Sequence, residues 1–174
     1  MTDLNLKDHI RQIPDFPKPG ILFYDISTLL AHPEAWNAAV RTMAAQIKPK
    51  APDFIAGIES RGFLFGSAIA HELSCGFVMV RKVGKLPGNV ISHSYDLEYG
   101  SDTLQIAEGL IPKGANVVLC DDLIATGGTA QASVELLRKI GANVVSAEFF
   151  IELDGLGGMA KLGVPAHAIL NYPA

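Results

Sequence analysis

Asp121 and Asp122 leave the apolar run of "VVLCDDLIATGGT", and Ala125, Thr126, Gly127, Gly128 and Thr129 follow almost at once. Glycines at the mouth of a helix let backbone N–H groups converge, and the helix N-terminus adds partial positive charge, so this turn favours a phosphate. Two ionised carboxylates gain nothing by facing that same phosphate. They can instead accept hydrogen bonds from hydroxyls beyond it, or hold a metal. A ligand with a phosphate at one end and a vicinal diol at the other satisfies both halves, and ribose 5-phosphate has that shape. No lysine follows the glycines as in a Walker A loop, and no G-x-G-x-x-G fingerprint occurs. Two other readings stand beside it: an acidic pair holding Mg2+ as in receiver or phosphatase-like domains, which have no use for the glycine turn, and an ordinary helix cap with solvent-exposed acids.

A phosphorylated ligand needs cations, and the chain as a whole is acidic, with a formal net charge of −4. That balance argues against a nucleic-acid partner, whose phosphates demand a basic surface. A local cluster can still focus a positive field in one cleft. "ESRG" places Arg61 in a strand–helix turn, and "RKVGK" packs Arg81, Lys82 and Lys85 together. Each alone reads as a solvated surface charge; gathered at one sheet edge they read as ligand-binding. The five histidines lack metal-ligand spacing.

These residues must be held by something. "DFIAGIE" (53–59), "GFVMVRK" (76–82), "ANVVLCD" (115–121), "ANVVSAEFFIELD" (142–154) and "AHAILNY" (166–172) read as strands, most with continuous apolar runs. "PEAWNAAVRTMAAQIKPK", "FLFGSAIAHEL" and "GGTAQASVELLRKIG" read as helices, the first with Trp36 on its apolar stripe. The pattern predicts an α/β fold with a mostly parallel central sheet flanked by helices. Ligands then bind at the carboxyl ends of the strands, where the turns after Glu59, Lys82 and Asp121 gather. Residues 3–13 read as a short amphipathic helix, 155–163 as another short helix, and 102–111 as a strand or hairpin arm. The stretch "VGKLPGNVISHSYDLEYG" (83–100) shows no sustained period and reads as a long loop, which in a compact domain is usually functional. At 174 residues one domain is expected. With no signal-peptide core, no spanning apolar run and two cysteines outside any motif, the expected setting is cytoplasmic and away from membranes.

"VVLCDDLIATGGT" closely resembles the phosphoribosyl diphosphate signature of the type I phosphoribosyltransferases, and the likeness runs from "DFPKPGILFYDIS" to the last strands. The resemblance implies that family's fold, with a flexible catalytic loop and an N-terminal hood of about residues 1–35 over the base. It implies transfer of a ribosyl phosphate from phosphoribosyl diphosphate to adenine, giving AMP and diphosphate, with Mg2+ held mainly through the substrate, in a homodimer. Asp121, Asp122 and the turn at 125–129 would hold the ribose 5-phosphate. Glu59, Ser60, Arg61, Arg81, Lys82 and Lys85 would hold the pyrophosphate, with a cis bond between Glu59 and Ser60 and with Arg81 reaching the neighbouring subunit. Leu22, Phe23 and Tyr24 would form the adenine site. Tyr24 stands where family members often carry arginine. Glu98 would move the purine proton, with Tyr95 and Tyr99 on the same loop. Relatives acting on 6-oxopurines commonly meet the oxo group with a late lysine, and residues 143–160 contain neither Lys nor Arg. A transferase for another purine base or for orotate, and a non-catalytic phosphoribosyl diphosphate sensor, are the competing expectations.

Overall fold

Runs of consecutive apolar residues need cover on both faces, and the fold supplies it. The computed structural model describes residues 4–96 and 100–174. The chain opens with β1 (Arg11–Ile13) and β2 (Phe23–Asp25), paired antiparallel, then α1 (Ser27–Leu30) and α2 (Pro33–Ile47). There follow β3 (Phe54–Ile58), α3 (Gly62–Leu73), β4 (Gly76–Lys82), β5 (Val90–Asp96) and β6 (Ser101–Ala107). The chain closes with β7 (Asn116–Ile124), α4 (Gly128–Lys139), β8 (Asn143–Asp154) and β9 (Ala166–Pro173).

The main sheet has the order β5-β6-β4-β3-β7-β8-β9, parallel from β4 to β9, with β6 and β5 added antiparallel at one edge. Alternation along β7 sends Val118 and Cys120 to one face, where α2 and α3 pack, and Val117 and Leu119 to the other, where α4 packs. Phe65 of α3 ties the first layer together: its ring stacks on Phe150 and meets Trp36 edge-on, each at 5.0 Å. Helix α2 starts where His32 Nδ1 accepts the Ala35 N–H and Pro33 takes the first position, which lacks a hydrogen-bond obligation.

Three expected elements differ. The helix expected at 3–13 is not formed over the described residues 4–13: a 3-10 turn at Leu6–His9 gives way to β1, which pairs with β2. Pro14 disfavours helical geometry at the residue before it, and the strand partner lies ten residues further on in sequence, Ile13 opposite Phe23. Within the expected loop at 83–100, Val90–Asp96 form β5, which pairs with β6 along its whole length. Its polar residues dilute the period-2 signal, and docking on α4 completes it: Lys139 Nζ donates to the Ser92 carbonyl and His93 meets Glu135 at 2.8 Å. The expected helix at 155–163 is a single 3-10 turn, Met159–Lys161, because the surrounding glycines gain nothing from helical backbone.

Candidate active site

The turns after β3, β4 and β7 meet at the carboxyl end of the sheet and border two cavities. One, of about 300 Å³, is lined by the turn at 125–129 together with Asp121, Glu59 and Lys82. Gly127 sits at φ 81°, a backbone state open to glycine, and Gly128 starts α4, whose first N–H groups have no carbonyl within the helix to bond. The concavity is therefore rimmed by free amides and a helix dipole. Asp121 faces it. Its carboxylate is held by the Asp122 N–H at 2.8 Å and lies against the start of α3, where a Cβ on Gly62 would come within 2.8 Å of Asp121 Oδ1. The glycine of "ESRG" is thus what lets α3 approach the acid. Burial, and then the charge of Asp122, push the Asp121 carboxyl well above the usual carboxylate range.

Glu59 organises the cations. Its Oε2 accepts the Lys82 N–H at 2.7 Å and Arg81 Nε at 3.2 Å, while Lys82 Nζ reaches Asp102 at 2.9 Å, which raises the lysine pKa. The Glu59–Ser60 bond is cis, as the family resemblance implied. Tyr95, on β5, places its hydroxyl 3.2 Å from Thr129 Oγ1, so the expected loop residue does reach the turn at 125–129.

The second cavity, of about 400 Å³, lies between the N-terminal strands and α3. Phe23 and Phe16, edge to face at 5.1 Å, form one wall with Ile13. Leu30 and Leu64 form another, and Asp25 and Arg61 supply polarity. Arg61 lies 5.3 Å from the centre of the Phe23 ring, in cation–π range, and its Nε is 3.0 Å from Asp122 Oδ2. No N–H aligns on that oxygen, which is buried without a hydrogen-bond partner. Burial raises the Asp122 pKa and Arg61 opposes the rise. Asp25 behaves oppositely. Hydrogen bonds from Ser27, joined by Arg11, hold its carboxyl below the usual range.

Several expected residues are brought together and several are not. Asp121, Glu59, Lys82 and the turn at 125–129 share one cavity. Asp122 does not line it, because alternation along β7 turns successive side chains to opposite faces; it pairs with Arg61 instead. Arg61 lines the apolar cavity, not the one at the 125–129 turn. Of the three expected base-site residues Phe23 alone lines that cavity. Leu22 is exposed beside it, and Tyr24 points into the core, with its ring 4.4 Å from Tyr172 and its hydroxyl donating to the Pro173 carbonyl. Arg81 is folded onto its own chain through Glu59 and the Lys85 carbonyl, while Ser60 and Lys85 are exposed. Glu98 and Tyr99 lie outside the described residues. Phe16, Asp25 and Leu64 went unnoticed in the sequence: Phe16 lies on an irregular segment with no periodicity to find, and Asp25 and Leu64, in β2 and α3, become lining residues only because those two elements meet.

The chain matches the phosphoribosyl transferase domain family over residues 25–154. It is 57% identical over 169 residues to adenine phosphoribosyltransferase of Gluconacetobacter diazotrophicus, covering 97% of this chain and 96% of that one. It is also 57% identical over 169 residues to the Rhodospirillum rubrum enzyme of the same name, covering 97% and 99%. The chain belongs to the adenine phosphoribosyltransferase family. The Saccharomyces cerevisiae member of that family, solved with an imino-altritol bisphosphate and adenine, superposes with a TM-score of 0.91 at 42% identity, covering 95% of this chain and 96% of that one. The type I phosphoribosyltransferase fold expected from the sequence is therefore the fold of the molecule. No helix among the described residues is long and apolar enough to cross a membrane.

Proposed function

We propose that the chain transfers the 5-phosphoribosyl group of phosphoribosyl diphosphate to N9 of adenine, releasing diphosphate and AMP. The observation that carries this reading is the pairing of the two cavities. An apolar slot with a stacking ring adjoins an anion cradle, and the Arg61–Asp122–Asp121 chain of contacts joins them. The turn at 125–129 holds the 5′-phosphate, and Asp121 accepts from a ribose hydroxyl. Lys82, Arg61 and the backbone at Glu59 and Ser60 face the diphosphate, with Lys82 exchanging Asp102 for the ligand. Phe23 stacks on the base.

In the reaction the N9 lone pair forms the bond to C1′. The C1′–O bond breaks, its electron pair leaves with the diphosphate, and the N9 proton goes to Glu98. No side chain acts as nucleophile; positioning and electrostatics carry the rate. Asp121 is a hard oxygen donor facing the sugar end of the cavity, which suits a Mg2+ ion carried in by the substrate's diphosphate and hydroxyls. That ion supplies charge neutralisation of the leaving group. Two copies of the chain form a homodimer through the surface near Arg81, where Leu64, Met79 and Val83 are exposed apolar side chains on or beside α3 and β4. The enzyme works in the cytoplasm.

Adenine is favoured over 6-oxopurines because residues 143–160 offer no cation, and the next one, Lys161, is committed to the Thr126 carbonyl at 2.8 Å. The test is diphosphate release with phosphoribosyl diphosphate, Mg2+ and a panel of adenine, hypoxanthine, guanine and orotate. Adenine should outpace the rest, and a faster oxopurine or orotate sinks the substrate assignment. Glu98→Gln should lower kcat with both KM values nearly kept; an unchanged kcat removes its role as proton acceptor.

A further inference from the structure

The turn at 125–129 is held on one side by α4, where the Gln131 N–H bonds the Gly127 carbonyl. On the other side the Ala125–Gly127 backbone is braced by 155–163, a segment far along the chain. At Gly158 a Cβ would clash with the Ala125 carbonyl oxygen and would lie 3.0 Å from Gly127 N; a Cβ on Gly127 would sit 2.5 Å from the Gly158 carbonyl oxygen. Two backbones therefore pass each other with no side chain between them. That contact requires glycine on both sides, and at Gly158, which has no positive φ, closeness alone is the reason. A few residues on, Lys161 Nζ donates to the Thr126 carbonyl at 2.8 Å. A trans peptide is planar with its C=O and N–H opposed, so fixing the Thr126 carbonyl fixes the direction of the Gly127 N–H. The segment can do this because it is anchored: Leu162 is buried in the layer beneath α4, and the Lys161 N–H closes a turn on the Gly158 carbonyl.

We propose that Gly158 and Lys161 are positioning residues for the phosphate site, forming a buttress that presets the turn at 125–129 for a phosphorylated sugar. Neither touches the substrate. Both act through the backbone of Ala125, Thr126 and Gly127. The inference rests on the reading that this turn binds the 5′-phosphate.

The test measures ribose 5-phosphate binding by calorimetry and the two KM values by diphosphate release, on wild type and variants. Gly158→Ala should weaken ribose 5-phosphate binding and raise KM for phosphoribosyl diphosphate at least about tenfold, with KM for adenine changed less than about twofold. If that variant fails to fold, Lys161→Met decides, since Lys161 is exposed and its removal leaves the core intact. It should raise KM for phosphoribosyl diphosphate about threefold to tenfold and speed amide exchange in the turn, with Lys161→Arg restoring both. Equal effects on both substrates, or no effect in either variant, overturn the buttress. Failure of the wild type itself to bind ribose 5-phosphate overturns the functional reading instead.

Discussion

The two cavities are built on different plans. The cavity at the 125–129 turn is local: most of its wall is a single stretch from Asp121 to Ala130, with Glu59 and Lys82 added from the ends of β3 and β4. The apolar cavity is assembled from segments far apart, with Ile13, Phe23 and Leu30 from the N-terminus and Arg61 and Leu64 from α3. A local site makes its demands on neighbouring residues. A composite one depends on packing, and single residues in it carry less of the outcome. Arg61 stands between the two, with its ring contact on one side and Asp122 on the other.

The same contrast marks the carboxylates. Asp121 is deprived of water beside another acid, so its folded pKa lies above its unfolded value. Ionising it costs more in the folded chain, and that penalty is absent below the unfolded value near about 4 and complete above the folded one. Asp25 has its folded pKa lowered by Ser27 and Arg11, so its contribution is stabilising, present above the unfolded value and lost as pH falls through the folded one.

The largest expected effect falls on the local site. Asp121→Asn should weaken phosphoribosyl diphosphate binding about 10- to 100-fold, the cost of one charge-assisted hydrogen bond, while leaving adenine KM within about twofold. It should also raise the melting temperature at neutral pH, with the gain vanishing below about pH 4. Binding lost without any gain in stability would break the pKa argument, and retained binding would break the site assignment. Next, Phe23→Ala should raise KM for adenine about tenfold, since a stacked base contributes about 1–3 kcal/mol, with phosphoribosyl diphosphate unaffected. An equal rise for both substrates would mean that the cavities are not separable.

Arg61→Gln sharpens the boundary. It should raise both KM values about threefold, because a cation–π contact of about 0.5–1 kcal/mol is lost on one side and the support of Asp122 on the other. An effect confined to the diphosphate substrate would return Arg61 to the phosphate site alone. The smallest effect is Asp25→Asn, read as urea stability against pH. The variant should be less stable near neutrality and converge with wild type in acid. A gap that widens in acid contradicts the direction of the Asp25 shift.

How much of this was legible in the sequence follows the same division. The strand–acid–glycine string located the cavity that Asp121 and the 125–129 turn share, because all its parts are contiguous and each residue type has a backbone reason to be there. Glu59 was placed by the family resemblance of "ESRG", again a local turn, while the close approach of Gly62 to Asp121 emerged only in the fold. The facing of Asp122 and Tyr24 could not be placed that way. Each lies next to a residue that does line a cavity, and which of two neighbours faces ligand depends on what packs behind the strand. For Tyr24 that is Tyr172 and the Pro173 carbonyl, at the opposite end of the chain. Strand β5 was invisible for a related reason, its polar residues being justified by β6 and α4 and by nothing nearby.

By itself, then, the sequence determined the alternation of strands and helices, the glycine turn at 125–129 and the acid at its mouth, because periodicity and glycine geometry act over a few residues. Tertiary structure alone decided the composition of the apolar slot, the pairing of Arg61 with Asp122, and the contact of Gly158 with Gly127. Those depend on segments separated by tens of residues meeting at van der Waals distance, and no local pattern of side chains encodes such a meeting.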